Sequence, residues 1–291
     1  MPHQKLCLGT NSQFHADIID QIPMIREAGF HEIFFDWKKD APVDLWCKKA
    51  RDCGLPIQSI HGPFGGCRAL WEDDEAAANA ALTDLVCCLH LCADQQIPIM
   101  ISHVFIGFDI PPISKEKGLN RYGKLIREAQ KCGVTIAFEN TEGEEYLDAV
   151  LQTFGNEKHV GFCWDSGHEM CYNRSEDLLA RYGQFLAATH INDNLGIKDI
   201  NGRITWHDDL HLLPFDGIAD WDYNAKRLVN TGFSGTLTFE LNTISKPDRH
   251  ENDLYDAMPL DAYLAEAYKR ACKVENLVFK RLNFFHGYDK M

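Results

Sequence analysis

The sequence predicts an α/β protein folded as a single-domain (β/α)8 barrel spanning residues 1–291. Three observations carry that expectation: eight short β-rich apolar runs, amphipathic helical stretches between them, and ionisable residues gathered where the runs end. Strands that alternate with helices pair in parallel through right-handed crossovers, and eight such units close a barrel.

The strand-like runs are KLCLGT (5–10), EIFFDW (32–37), IQSIHGP (57–63), IPIMISH (97–103), VTIAFEN (134–140), VGFCWDS (160–166), ATHINDN (188–194) and TLTFELN (236–242). Helical patterns fill the gaps: IIDQIPMIREAG, VDLWCKKARDCG, an Ala-rich stretch from Asp74 to Asp94, and YGKLIREAQKCG. Gly29, Gly54 and Gly133 close three of them, as expected of glycine just past a helix end. Thr243–Pro259, rich in Asp, Asn and Pro, reads as a loop, and Leu260–Arg281 as the last helix. A Gly-rich phosphate loop does not follow the first strand, which argues against an open doubly wound sheet.

Hydrophobic residues make up 45% of the chain and charged residues 25%, values of an ordinary globular core rather than of a disordered segment. With 43 Asp plus Glu against 29 Lys plus Arg, the formal charge is −14. A nucleic-acid backbone would therefore meet net repulsion, and no basic run offsets it. The 11 cysteines are scattered without metal-finger spacing and are expected to be reduced, buried thiols. The N-terminal MPHQKLCLGT lacks the pattern of a secretory leader, and no apolar run is read as a membrane span, so a cytoplasmic protein with no membrane partner is expected.

Barrel enzymes place their chemistry at the C-terminal ends of the strands, and here those ends are unusually uniform. Strand three ends at His61, strand four at His103, strand five at Glu139, strand six at Asp165 with His168 close behind, strand seven at His190, and strand eight at Glu240. The stretch after strand seven adds His207, Asp208, Asp209 and His211, of which Asp209 and His211 have the spacing that points two side chains the same way in an extended segment. Taken singly, each has an ordinary explanation: a histidine held by hydrogen bonds, or an Asp165 that caps the next helix. Taken together they favour a cation, because gathering so many ionisable groups at one mouth otherwise imposes desolvation and like-charge penalties. Imidazole and carboxylate without cysteine suit a divalent metal such as Mn, Zn, Co, Fe or Mg. His3, His15, His31, His90, His159, His250 and His286 are expected to be surface or structural. Trp37, Phe64, Trp71, Phe105 and Trp206 are candidates for an apolar wall at the mouth.

The motifs FENT around Glu139, WDSGH around Asp165, HINDN around His190, DDLHLLPFDGIADW over 208–221 and FELN around Glu240 resemble those of the xylose-isomerase-like TIM barrels. The resemblance covers roughly residues 5–242. That superfamily includes sugar and sugar-phosphate epimerases, inosose-processing enzymes and the endonuclease IV group of AP endonuclease family 2. Similarity to the epimerases implies one metal held by Glu139, Asp165, His190 and Glu240, with Glu139 and Glu240 also acting as acid and base in proton transfer through a metal-stabilised enediolate. It implies that His168 orients a substrate oxygen. Similarity to the endonuclease IV group implies a different outcome, a three-zinc phosphoesterase using His61, His103, Glu139, Asp165, His168, His190, Asp209, His211 and Glu240. The sequence departs from the epimerases in one respect: no arginine follows HINDN, and Lys198 is the nearest cation. A small sugar-like substrate and a metal-dependent isomerase or epimerase are the leading expectation. Related barrels are often dimers or tetramers, so a homo-oligomer is compatible with the resemblance, although the sequence carries no diagnostic interface.

Overall fold

The computed structural model describes residues 3–288, with the side chains beyond residue 282, including that of His286, outside the described set. The elements run β1 (Leu6–Gly9), α1 (Ile18–Ala28), β2 (Glu32–Asp36), α2 (Val43–Asp52), β3 (Ile57–His61), α3 (Glu75–Asp94), β4 (Ile99–His103), α4 (Lys115–Cys132), β5 (Thr135–Glu139) and α5 (Glu144–Phe154). They continue β6 (Val160–Asp165), α6 (Ser166–Cys171), α7 (Leu178–Tyr182), β7 (Leu186–His190), α8 (Trp221–Asn230), β8 (Leu237–Phe239), α9 (Asp253–Asp256) and α10 (Leu260–Tyr288).

Eight parallel strands follow one another in the order β7-β6-β5-β4-β3-β2-β1-β8. The gap between β7 and β8 is bridged by one backbone contact, Ile191 with Phe239, and by the Thr238 amide donating to Thr189 Oγ1 at 3.1 Å. The chain is thus a nearly closed single-domain TIM barrel. Gly29 and Gly133 sit in the left-handed conformation just past α1 and α4, a backbone geometry that strains other residues and lets glycine end a helix freely.

Strand alternation explains why the ionisable residues share one place. Ile101, Ala137, Cys163 and Ala188 form a small buried cluster, and each lies two residues before His103, Glu139, Asp165 or His190. A period of two puts both sets on the barrel's inner face, the apolar layer beneath and the ionisable layer above it at the C-terminal mouth. Residues of the opposite parity, among them Met100, Ile136, Phe138, Phe162 and Trp164, belong to the large cluster shared with the surrounding helices. Burying side chains of this size stabilises the fold by about 1.5–3 kcal/mol each.

Three expectations need adjustment. The cysteines are free thiols, but Cys87 is exposed and Cys53, Cys132 and Cys272 are only partly buried. An 18-residue window of α3 has mean hydropathy 1.5 and so meets the length and composition of a membrane span. That helix is a member of the outer ring, with Ala78, Leu85, Cys88, Leu89 and Cys92 buried and its flank packed on α4. The segment 243–259 is more than a loop: it contains α9, and it folds back over the barrel mouth.

Candidate metal centre

Parallel pairing aligns the strand ends. Asp36 is the register partner of His61, His103 of Glu139, and Asp165 of His190. The Glu139 carboxylate, fully buried, sits in the middle. Its Oε1 is 2.8 Å from His190 Nδ1, while Oε2 is 3.1 Å from His103 Nε2 and 3.3 Å from His61 Nε2. Glu240 follows the end of β8 and brings Oε2 to 3.0 Å from the same His190 Nδ1. A second group lies beside the first, with Asp209 Oδ1 at 3.4 Å from His168 Nε2 and Oδ2 at 2.9 Å from His211 Nε2.

Backbone carbonyls fix the tautomers of three of these rings. His61 Nδ1 donates to Gly62 O at 2.9 Å, His168 Nδ1 to Asn140 O at 3.0 Å, and His211 Nδ1 to Glu240 O at 3.2 Å. A carbonyl only accepts, so Nδ1 carries the hydrogen and Nε2 is the atom turned toward the carboxylates. Metal-binding histidines are oriented by this same arrangement. Four further atoms, His103 Nδ1, Glu139 Oε2, His190 Nε2 and Asp209 Oδ1, are buried without a hydrogen-bond partner. His61 Nε2 and His103 Nε2 also approach each other to 3.2 Å beside Glu139 Oε2, a concentration of lone pairs that a cation relieves. The residues present therefore fit a divalent metal, in groups that include His61 with His103 and Glu139, His61 with His190 and Glu240, and His168 with Asp209 and His211.

Without an ion, the carboxylates and histidines of the mouth shift one another's protonation. Burial opposes the charge on Glu139, but the surrounding His190, His103 and His61 hold its carboxyl well below the ordinary range. Burial likewise opposes Glu240, and His190 and His211 outweigh it, bringing the carboxyl to about 2. Burial pushes His103 down, whereas for His61 the Glu139 carboxylate overcomes burial and moves the imidazole up. His211, against the effect of burial, is raised to about 9 by Asp209 and Glu240. His168 and His190 are raised well above the ordinary value by the carboxylates around them, again against burial.

Asp165 has the capping role that sequence reading weighs against ligation. Its Oδ1 caps α6 by accepting the His168 amide at 2.6 Å, and Oδ2 accepts from Asn192 Nδ2 at 2.9 Å. Burial raises its pKa to about 6 despite the neighbouring His168. Each carboxylate oxygen has accepting capacity beyond the one hydrogen bond described.

The segment between β7 and α8 is built around a different residue of the HINDN motif. Asp193 accepts from the Trp221 indole at 2.9 Å, from the Phe215 and Ala219 amides at 2.9 and 3.0 Å, and from Asn194 N at 2.9 Å. Its backbone pairs with Leu212 as an antiparallel bridge, which sets His211 at the mouth. A Cβ on Gly217 would lie 2.1 Å from Asp193 Oδ1, so this turn requires glycine. Asp208 is spent on the amides of Lys198 and Thr205, and His207 packs against Trp206, so Asp209 and His211 are the ligand candidates of that stretch.

Among the aromatic candidates, Phe64 is 46% exposed and stacks on His103 with ring centroids 5.0 Å apart. Trp71 and Phe105 are buried packing residues, each stacked or tilted against Tyr146. Trp206 is 52% exposed and lies beneath Lys246 Nζ at 5.4 Å. Sequence reading overlooks Lys246, which comes within 3.8 Å of Asp209 although 37 positions separate the two in the chain. It also overlooks Asp36 at the end of β2, whose pKa burial and Glu240 raise; the signal was present, since Asp36 sits at the end of the apolar run EIFF as Glu139 and Asp165 do at theirs.

Comparison with known proteins bears on the same features. The family model described as xylose isomerase-like TIM barrel matches residues 22–260. The uncharacterized protein y4fM of Sinorhizobium fredii is 34% identical over 150 residues, and the match spans half of this chain and 45% of that relative. Among solved structures, D-psicose 3-epimerase from Clostridium cellulolyticum H10 superposes with a TM-score of 0.70 at 16% identity, covering 93% of this chain and 99% of the epimerase. The IolI protein, whose structure holds a zinc atom, superposes with a TM-score of 0.71 at 19% identity, covering 95% of this chain and 98% of IolI. At such identities the superpositions speak for the fold, and the family model, matched along most of the barrel, speaks for descent: the chain belongs to the xylose isomerase-like TIM barrel family.

Proposed function

We propose that this protein is a cytoplasmic, metal-dependent isomerase or epimerase of a small sugar-like substrate. The observation that carries the reading is His190 Nδ1, which lies 2.8 Å from Glu139 and 3.0 Å from Glu240 and so gathers two carboxylates at one centre. A divalent cation held by Glu139, Asp165, His190 and Glu240, of the class Mn, Zn, Co, Fe or Mg, would supply Lewis-acid polarisation of a carbonyl and its neighbouring hydroxyl. One glutamate then takes the proton from the acidified carbon and the other returns one to it. The histidines that hold Glu139 and Glu240 low favour the ionised, proton-accepting form, so the glutamate that returns a proton would have to enter the cycle already protonated. Phe64 and Trp206 offer apolar faces to the C–H side of a sugar ring, and Lys246 offers a hydrogen-bond donor. The net charge of −14 speaks against a nucleic-acid partner, and the free thiols suit a reducing compartment.

A second reading, a multinuclear zinc phosphoesterase of the endonuclease IV type, is favoured by one specific observation. His61 and His103 on one side, and His168, Asp209 and His211 on the other, form groups beyond what a single ion needs.

One experiment separates them. Metal is counted per chain, and the loaded protein is incubated in deuterated water with a panel of ketoses and inososes while exchange at the carbon beside the carbonyl is followed by NMR. Deuterium incorporation that disappears in Glu240→Gln supports the first reading. Two or three zinc ions per chain, with phosphoester hydrolysis and no exchange, replaces it with the second.

A further inference from the structure

The described part of the molecule holds a further group of metal-ligating side chains on the outer ring, away from the barrel mouth. His90 is on α3, and Glu128 and Cys132 are on α4. Their ligand atoms lie within 4.8 Å of one another, with His90 Nε2 only 3.1 Å from Glu128 Oε1. We infer that His90, Glu128 and Cys132 form a binding site for a zinc-like divalent ion that clamps α3 to α4.

The helices preorganise the site. Glu128 and Cys132 are one turn apart on α4, and on α3 the same spacing places Asp94 one turn after His90, near enough for its charge to act on the Cys132 thiol. Two packed helices that each present an i, i+4 pair can surround an ion with imidazole, carboxylate and thiolate, and Asp94 or water completes four ligands. Tetrahedral zinc needs ligand atoms about 3.5 Å apart, given bonds near 2.0–2.3 Å. The existing separations need only small rotations of side chains that have room to move, since His90 is 51% exposed. Lys131 holds Glu128 Oε2 at 2.7 Å and leaves Oε1 turned toward His90.

An exposed ion pair would account for the imidazole and the carboxylate, but not for a thiol placed beside them. Thiolate and imidazole select zinc, cobalt or a similar borderline ion over magnesium or calcium. Burial and the nearby Glu128 and Asp94 raise the Cys132 thiol, so ion binding must displace its proton. The position also fits a structural role. Cys132 lies three residues before β5 begins, at the end of the barrel opposite the strand-end histidines and carboxylates, the end where barrel enzymes invest in stability.

The test uses the full chain with its barrel centre already loaded, titrated with cobalt(II) and compared with Cys132→Ser and His90→Ala. The wild type should take up one more ion per chain than Cys132→Ser and show thiolate-to-cobalt charge-transfer absorption that the variant lacks. Removing His90 should weaken this uptake about tenfold or more, because even loss of a residue that merely orients a ligand costs that much. Equal ion counts in wild type and Cys132→Ser, a charge-transfer band that survives Cys132→Ser, or unchanged affinity in His90→Ala each overturns the site. His90 packs little against the core, so its replacement reads the ion and not the fold.

Discussion

Glu139 and His190 meet at 2.8 Å in the buried centre of the barrel mouth, carboxylate Oε1 against ring Nδ1. The other carboxylate oxygen, Oε2, faces His61 and His103. One side chain thus joins the group at His190 and Glu240 to the group at His61 and His103, which makes it the residue whose loss affects both.

Glu139→Gln is therefore expected to lower metal affinity by about 100-fold or more, because it removes a charged ligand and places an amide N–H toward lone pairs. Metal retained after dialysis, measured against wild type, checks this, with circular dichroism confirming that the barrel is intact. Retention equal to wild type would exclude Glu139 as a ligand.

The pH dependence of metal uptake follows from the group around Asp209. In the metal-free protein His211 holds its proton up to about pH 9, and His168, also raised, donates toward the same carboxylate. An ion bound to the Nε2 atoms must replace protons, so affinity should rise with pH by about tenfold per unit for each proton displaced, the His211 contribution levelling off above about pH 9. Calorimetry in buffers of different ionisation enthalpy should register at least about one proton released per ion bound at this group. No proton release at neutral pH would place the ion elsewhere.

Much of this site could be read before any coordinates, because strand ends are sequence features. His61, His103, Glu139, Asp165, His190 and Glu240 each close or follow an apolar run, and parallel strands bring such ends together. Asp209 with His211 was recoverable for a similar reason, as alternation in an extended segment is local. Lys246 was not, since its approach to Asp209 depends on how the 243–259 segment folds over the mouth. Asp193 was hidden differently: it stands among candidate ligands in HINDN, and only its four hydrogen bonds distinguish a staple from a ligand.

Gly9 on β1 tests how the second layer supports the first. Phe34 stacks on His190 with centroids 5.0 Å apart, and a Cβ on Gly9 would lie 2.4 Å from the Phe34 ring. Gly9→Ala should push that ring off His190 and cost roughly 1–3 kcal/mol through overpacking. Denaturant unfolding measures the cost, and weaker metal binding should accompany it. A variant as stable as wild type would mean that Phe34 has space to retreat.

Asp193→Ala should separate scaffold from chemistry. The substitution leaves the Trp221 indole and three backbone amides without their acceptor in a buried turn. Orphaned buried donors are expensive, and the loss should reach about 3 kcal/mol or more in urea unfolding. The same turn carries the bridge to Leu212 that sets His211 at the mouth, so ions bound by His168, Asp209 and His211 should be released first. Ions at Glu139, His190 and Glu240 stand on strand ends that do not depend on the turn and should persist. Metal counts that fall together would show instead that the two groups form one cooperative centre.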